Sequence, residues 1–491
     1  MQTLDILTLP TAEQHVLDED ITAAVELFFL TKKGVPSHLM DVATNNGIVE
    51  LTGFTDNLLA RARAEEIALA VRGVRGVVNE LVIRTPYVPD TDLQRDVTRA
   101  LADDPATSEY NNVCCTVADG VATLEGTVQS WAEKELVLRV LQGVRGVHQI
   151  AADELKVHLG RLFNSDEEIT TQIKQRLSWD IRVNSALVHV HTTNHVVHLA
   201  GKVGTAEEKF RAVAIAYQTG AHRVEAHDLD VAYWALIPEL RHDKFAYKSD
   251  GDIADAVRDT FRYDPRVLSS EALVSVREGV VTLSGTVSNL QAKRAAEQDA
   301  RNVVGVWDVH TTLKVRTERD SPDAGIRQTI LDALVRNPYV SHIEFRVTVQ
   351  NGKATLYGHV NNHFEQEQAG EVAAGINGVL EIENRVDVAA PSAPTGLLSF
   401  YSGAGASDPA ASPKPDFALT ERIRARYHWS VGLHGRGVQV EVENGRATLT
   451  GTVDTWHDRK QAALDAYEVG ARDVNNHLRV AGDTRQLGSG L

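Results

Sequence analysis

The chain has 491 residues, 43% of them apolar and 24% charged, proportions of an ordinary folded protein that exclude a disordered or fibrous one. Its 50 Lys and Arg against 67 Asp and Glu leave a formal charge of −17, which works against general attraction to nucleic acid or to an anionic membrane surface. No run of about 18 apolar residues occurs, so no transmembrane segment is expected.

The chain opens MQTLDILTLPTAEQHVLDEDITAAVELFFL, where acids interrupt each apolar run and no cationic leader precedes one. A cytoplasmic location is the expectation for the sequence as written, and a periplasmic one if translation begins upstream. At Gly47 to Thr55 stands GIVELTGFT, the first of a series. GVATLEGTV follows at Gly120 to Val128, HVVHLAGKV at His195 to Val203 and GVVTLSGTV at Gly279 to Val287. GKATLYGHV at Gly352 to Val360 and GRATLTGTV at Gly445 to Val453 complete it.

Six units are expected: 11–86, 90–158, 164–233, 248–317, 321–388 and 417–481, with a flexible Pro/Ser/Gly/Ala linker at 389–416. In each, alternating residues around the motif give a half-buried strand. The upstream glycines Gly47, Gly120, Gly279, Gly352 and Gly445 follow a polar or acidic residue and mark a hairpin turn needing positive φ. In the third unit Asn194 and His195 hold those places, so its turn is expected to be altered. The second glycines, Gly53, Gly126, Gly201, Gly285, Gly358 and Gly451, sit within the strand.

Amphipathic helices are expected on either side of the hairpin. The first is opened by acids read as N-caps (Asp92, Asp252, Asp323) and the second stops at glycine signals such as Gly73–Val77 and Gly143–Val147. A short strand ends the unit. The fold class is therefore α+β, a tandem array of six small αββαβ modules, each a sheet covered by two helices. The anchor glycines of units one and four differ by 232 residues (53 to 285), as do those of two and five (126 to 358), and those of three and six by 250 (201 to 451). Trp179 and Trp429 share the last offset, as do Tyr217 and Tyr467, so the array reads as a three-module unit duplicated.

The order of elements, the turn glycine, G-x-V-x-L-x-G-x-V and the closing G-V-x-x-V resemble the BON domains, named after bacterial osmotically inducible and nodulation proteins. The resemblance implies a small non-catalytic module of envelope proteins that binds phospholipid or other envelope components and serves osmotic or membrane stress tolerance.

Among candidate ligand residues, Arg61, Arg63, Arg72 and Arg75 around the first unit's second helix, with Lys293 and Arg294 in the fourth, offer cations to lipid phosphate, or equally a solvated helix face. His189, His191 and His195 offer imidazoles to a transition metal, or are polar positions of a half-buried hairpin. Cys114 and Cys115 are too close in sequence for an unstrained disulfide and read as buried apolar residues. Trp131, Trp179, Trp429 and Trp456 read as intermodule packing or as ligand platforms, and GLLSFYS (396–402) as a docking peptide or a latch. No nucleotide-binding, metalloprotease or serine-hydrolase signature occurs, and no cofactor is implied. Two functions follow: a non-enzymatic stress-type binding protein for phospholipid or envelope ligands, or a self-assembling scaffold using the pseudo-symmetric halves and the tethered sixth module, with homo-oligomerisation expected.

Overall fold

The computed structural model describes residues 16–108, 110, 112–158, 165–236, 244, 246–267, 270–317, 321–389, 415–433 and 437–480. Six modules follow one another, each with its own apolar core. The fifth shows the plan. A first helix, Asp323–Arg336, leads to the strands Arg346–Gln350 and Lys353–Val360, then a second helix, His363–Ala374, and a last strand, Glu381–Val388. The motif strand is central, antiparallel to the strand before it and parallel to the last one. In the first, third, fourth and sixth modules the last strand is broken in two, as at Gly76–Asn79 and Val82–Ile83.

Alternation sets the layers. Ala354, Leu356 and Val360 of the motif strand are buried under the helices, while Arg346, Thr348, Gln350, Glu381 and Arg385 of its neighbours are exposed on the other face. Each second helix starts at Asn57, Ser130, Thr205, Asn289, Asn362 or Thr455, whose side chain accepts the third helical residue's N–H.

The turn geometry departs from expectation at one point. Asn194 and His195 have φ of 51° and 60°, matching Asn46 at 50° and Gly47 at 74°, so the third turn is not altered. An aspartate supports it. Asp166, the first residue of the third module's first helix, accepts hydrogen bonds from the N–H groups of Asn194 and His195. The same brace occurs in every module: Asp18, Asp90, Asp250, Asp323 and Asp416 each accept both turn amides, all at 2.7–3.1 Å. The acids read as N-caps are thus placed differently. Asp92 and Asp252 are the third residues of their helices, inside the first turn, and Asp323 serves as a brace.

Two further expectations are corrected. Gly146, with φ of 101°, supplies the left-handed residue of the second module, whereas Gly143 is an ordinary right-handed cap. Cys115 is buried but Cys114 is exposed, because adjacent strand residues point to opposite faces. The linker, including GLLSFYS, lies outside the described residues save at its ends.

Candidate functional site: the seams between modules

The modules meet through the ends of their helices. Between modules one and six, Arg72 N–H donates to the Trp429 carbonyl at 2.9 Å and Val431 N–H to the Ala70 carbonyl at 3.2 Å. Between four and three, Val304 N–H donates to the Trp179 carbonyl at 2.9 Å and Ile181 N–H to the Asn302 carbonyl at 2.9 Å. Each residue of one set has its counterpart in the other at the 232 or 250 offset. Modules two and five meet through Arg145 N–H on the Arg336 carbonyl at 2.8 Å and Asn377 N–H on the Asp103 carbonyl at 3.4 Å. The array is folded back on itself, one against six, two against five, three against four, around a pseudo-two-fold through the central pair. Module six therefore docks on module one of the same chain.

Neighbours along the chain pack by equivalent contacts too. Trp131 stacks on Tyr217 with ring centroids 5.3 Å apart, and His363 meets Tyr467 at 4.7 Å, the same pair of positions in the two halves. Trp179 packs on the core of module four and Trp429 on that of module one. These three tryptophans and their partners serve seams. Trp456, at the start of its helix, has the guanidinium of Arg301 from module four at 5.6 Å.

The two outer seams differ in chemistry. At one–six, Arg426 is 1% exposed and lies over Phe28 at 3.7 Å. It reaches Asp465 at 3.3 Å, Glu468 at 3.1 Å and the Thr31 hydroxyl at 2.5 Å. Burial pushes the Glu468 carboxyl up, while Lys32 and Arg426 outweigh burial at Asp465 and hold it low. At three–four, Asp180 is gripped by Arg182 at 2.7 Å and Arg211 at 3.0 Å, which overcome burial and keep it well below the usual carboxylate range. Beside it a cavity of about 300 Å³ opens among modules two, three and four, lined by residues that include Trp131, Arg176, Tyr263 and Asp299.

The candidate cations are dispersed among protein partners. Arg61 donates to the Asn79 carbonyl at 2.9 Å. Arg63 bonds the Lys33 carbonyl, lies 4.3 Å from the Phe364 ring of module five and is 3.6 Å from Glu468 of module six. Arg72 is buried with its guanidinium 5.1 Å from Tyr233 of module three. Arg75 reaches back to the Asn46 carbonyl at 3.4 Å. Arg294 pairs with Glu371 of module five at 2.7 Å. Lys293 is half-buried one residue earlier. The histidines divide as well. His195 stacks on His222 at 5.0 Å, His191 faces His198 across the hairpin, and His198 bonds Glu225 at 3.1 Å. His189 lies opposite Ala200. Among the described residues no three of His, Cys, Asp and Glu are grouped to hold a metal ion. None of the described helices is long and apolar enough to cross a membrane.

The strand order, the braced turn and the sixfold repetition define a tandem array of small α+β modules. The BON domain profile matches six times, at residues 17–85, 89–158, 165–232, 249–317, 322–390 and 415–482, and the chain belongs to the BON domain family. Osmotically-inducible protein Y of Escherichia coli (strain K12) is 30% identical over 144 residues, covering 28% of this chain and 71% of that protein. Among solved structures, CdsD, a structural protein of the type III secretion system of Chlamydia trachomatis, is 15% identical with a TM-score of 0.12, covering 46% of this chain and 91% of that one. The C-terminal domain of the same protein is 16% identical with a TM-score of 0.13, covering 47% and 100%. These structural likenesses are too slight to carry an argument.

Proposed function

We propose that this chain is a non-enzymatic binding protein of the osmotic-stress type, presenting the outer sheet faces of its six modules to phospholipid or another envelope component. Family membership and the name of the osmotically inducible relative support the reading. The observation that carries it is geometric. The seams described above run through helix ends and second helices, and the outer faces, such as that bearing Arg346, Thr348 and Arg385, stay open. Several weak contacts on one rigid body add to a strong one. Because the whole is acidic, contact with anionic lipid has to be local, and screening by salt weakens it.

Flotation of the purified chain with phosphatidylglycerol vesicles, at low and at physiological salt, tests this. Recovery with the vesicles that declines with salt is expected. A chain that stays behind at low salt contradicts the lipid reading. Light scattering of the lipid-free chain tests the alternative, and a discrete large assembly would favour the scaffold.

A further inference from the structure

Arg176 and Arg426 hold the same place in modules three and six, 250 residues apart (176 to 426). Both lie over an aromatic ring, Arg176 at 4.0 Å from Tyr263 and Arg426 at 3.7 Å from Phe28. Their partners differ in charge. Arg426 is neutralised by Asp465 and Glu468. At Arg176 the same two positions are Ile215 and Gln218, and among the described residues it donates only to neutral acceptors: the Ile215 carbonyl at 3.2 Å, the Thr219 hydroxyl at 3.0 Å and the Gln218 amide at 2.9 Å.

A guanidinium enclosed in protein without a carboxylate costs free energy, and here burial, aided by Arg211, lowers its pKa to about 10. The surface Arg176 retains faces the cavity. Of the carboxylates around the cavity, Asp180 is engaged by Arg182 and Arg211, Asp264 by Arg266 at 2.6 Å and Asp259 by Arg262 at 3.5 Å, while burial pushes the Glu135 carboxyl up, towards its neutral form. In the same wall Asp299 Oδ2 is sealed from bulk solvent with no hydrogen-bond partner among the described residues. Its carboxyl is pushed up to about 8 by burial and by Asp264, which favours the neutral acid and so suits a neighbouring anion better than a cation.

We propose that this cavity binds a small organic oxyanion, a carboxylate or phosphate monoester with a flat apolar body, whose charge pairs with Arg176 as Asp465 and Glu468 pair with Arg426. The apolar body lies against Trp131 and Tyr263, and the volume stands at the small end of ligand pockets. The proposal is independent of lipid contact at the outer faces.

Calorimetric titration of the full chain with benzoate, phenyl phosphate and inorganic phosphate, at constant ionic strength, tests it. Saturable binding at one site per chain is expected for benzoate, phenyl phosphate or both, and which of them saturates tells carboxylate from phosphate. Gln218→Glu supplies the carboxylate that Arg426 already has. It should leave the unfolding temperature at or above that of the parent and weaken binding at least about tenfold, as should Arg176→Gln. The proposal is overturned if neither aromatic probe saturates, if all three salts give the same non-saturating heat, or if Gln218→Glu binds as the parent does. Vesicle flotation of Gln218→Glu should be unchanged, so the two readings fail separately.

Discussion

Replacing Arg426 with methionine should open the seam between modules one and six. The side chain is 1% exposed, and its loss leaves Asp465, equally buried, and Glu468, three residues on along the same helix, without the guanidinium they share. Removing one partner of a buried ion pair costs about 3–5 kcal/mol because the other charge stays desolvated. Here the low end applies, about 3 kcal/mol, since Lys32 remains 3.5 Å from Asp465 and Arg63 remains 3.6 Å from Glu468. Urea unfolding followed by far-ultraviolet circular dichroism and tryptophan fluorescence reads the change, with Trp429 in the seam itself. The double variant Arg426→Met with Asp465→Asn should regain part of the loss, because the stranded carboxylate goes too. Arg176→Met, at the equivalent seam, strands no carboxylate and should cost about 1 kcal/mol. Equal losses at 426 and 176, or none at 426, would refute the assignment of charge to the two seams.

Three other outcomes follow from the same structure. Gly285→Ala should cost about 2–4 kcal/mol, because φ is 105° and the new Cβ would sit 2.2 Å from the Glu271 carbonyl oxygen, whereas Gly220→Ala, with open space, should cost about 1–2 kcal/mol; equal costs in urea unfolding would refute the close approach. Asp299 carries a carboxyl pushed up to about 8 in the folded chain against about 3.9 unfolded, so the folded state holds the proton more tightly and loses stability as pH rises from about 4 to about 8, with no further loss above. The stability of Asp299→Asn relative to the parent should therefore climb across that window and then level, and a constant difference would contradict it. Cys114 should react promptly with a thiol reagent while Cys115, its thiol raised to about 11 by burial, waits for unfolding; two equal rates would count against the strand's orientation.

The elements of each module were legible because their signals are local: alternation in the motif strand, glycine after Asn or Asp at the turn, helical spacing after it. His195 misled because the missing glycine looked decisive, yet an adjoining Asn and the Asp166 carboxylate suffice to hold a histidine at positive φ. The aspartate brace was overlooked although it too repeats, since Asp18, Asp166, Asp250, Asp323 and Asp416 each stand 35 residues before a motif glycine, for example 18 to 53. Its bonds span 28 to 30 residues, beyond any helical or strand period. The seams and the cavity had no local signal at all. The duplication was visible as offsets, but that it folds back as one on six and three on four depends on surfaces that only the packed modules create. The telling difference, Ile215 and Gln218 where the sixth module has Asp465 and Glu468, gains meaning only once Arg176 is seen beside a cavity.

The central claim, that one chain closes its six modules into a single body, is tested most directly by small-angle X-ray scattering of the dilute monomer. A compact chain of this length has a radius of gyration of about 23 Å, and a value near that is the prediction. Six such modules strung in line would give roughly 40 Å or more, and that result would contradict the closed arrangement.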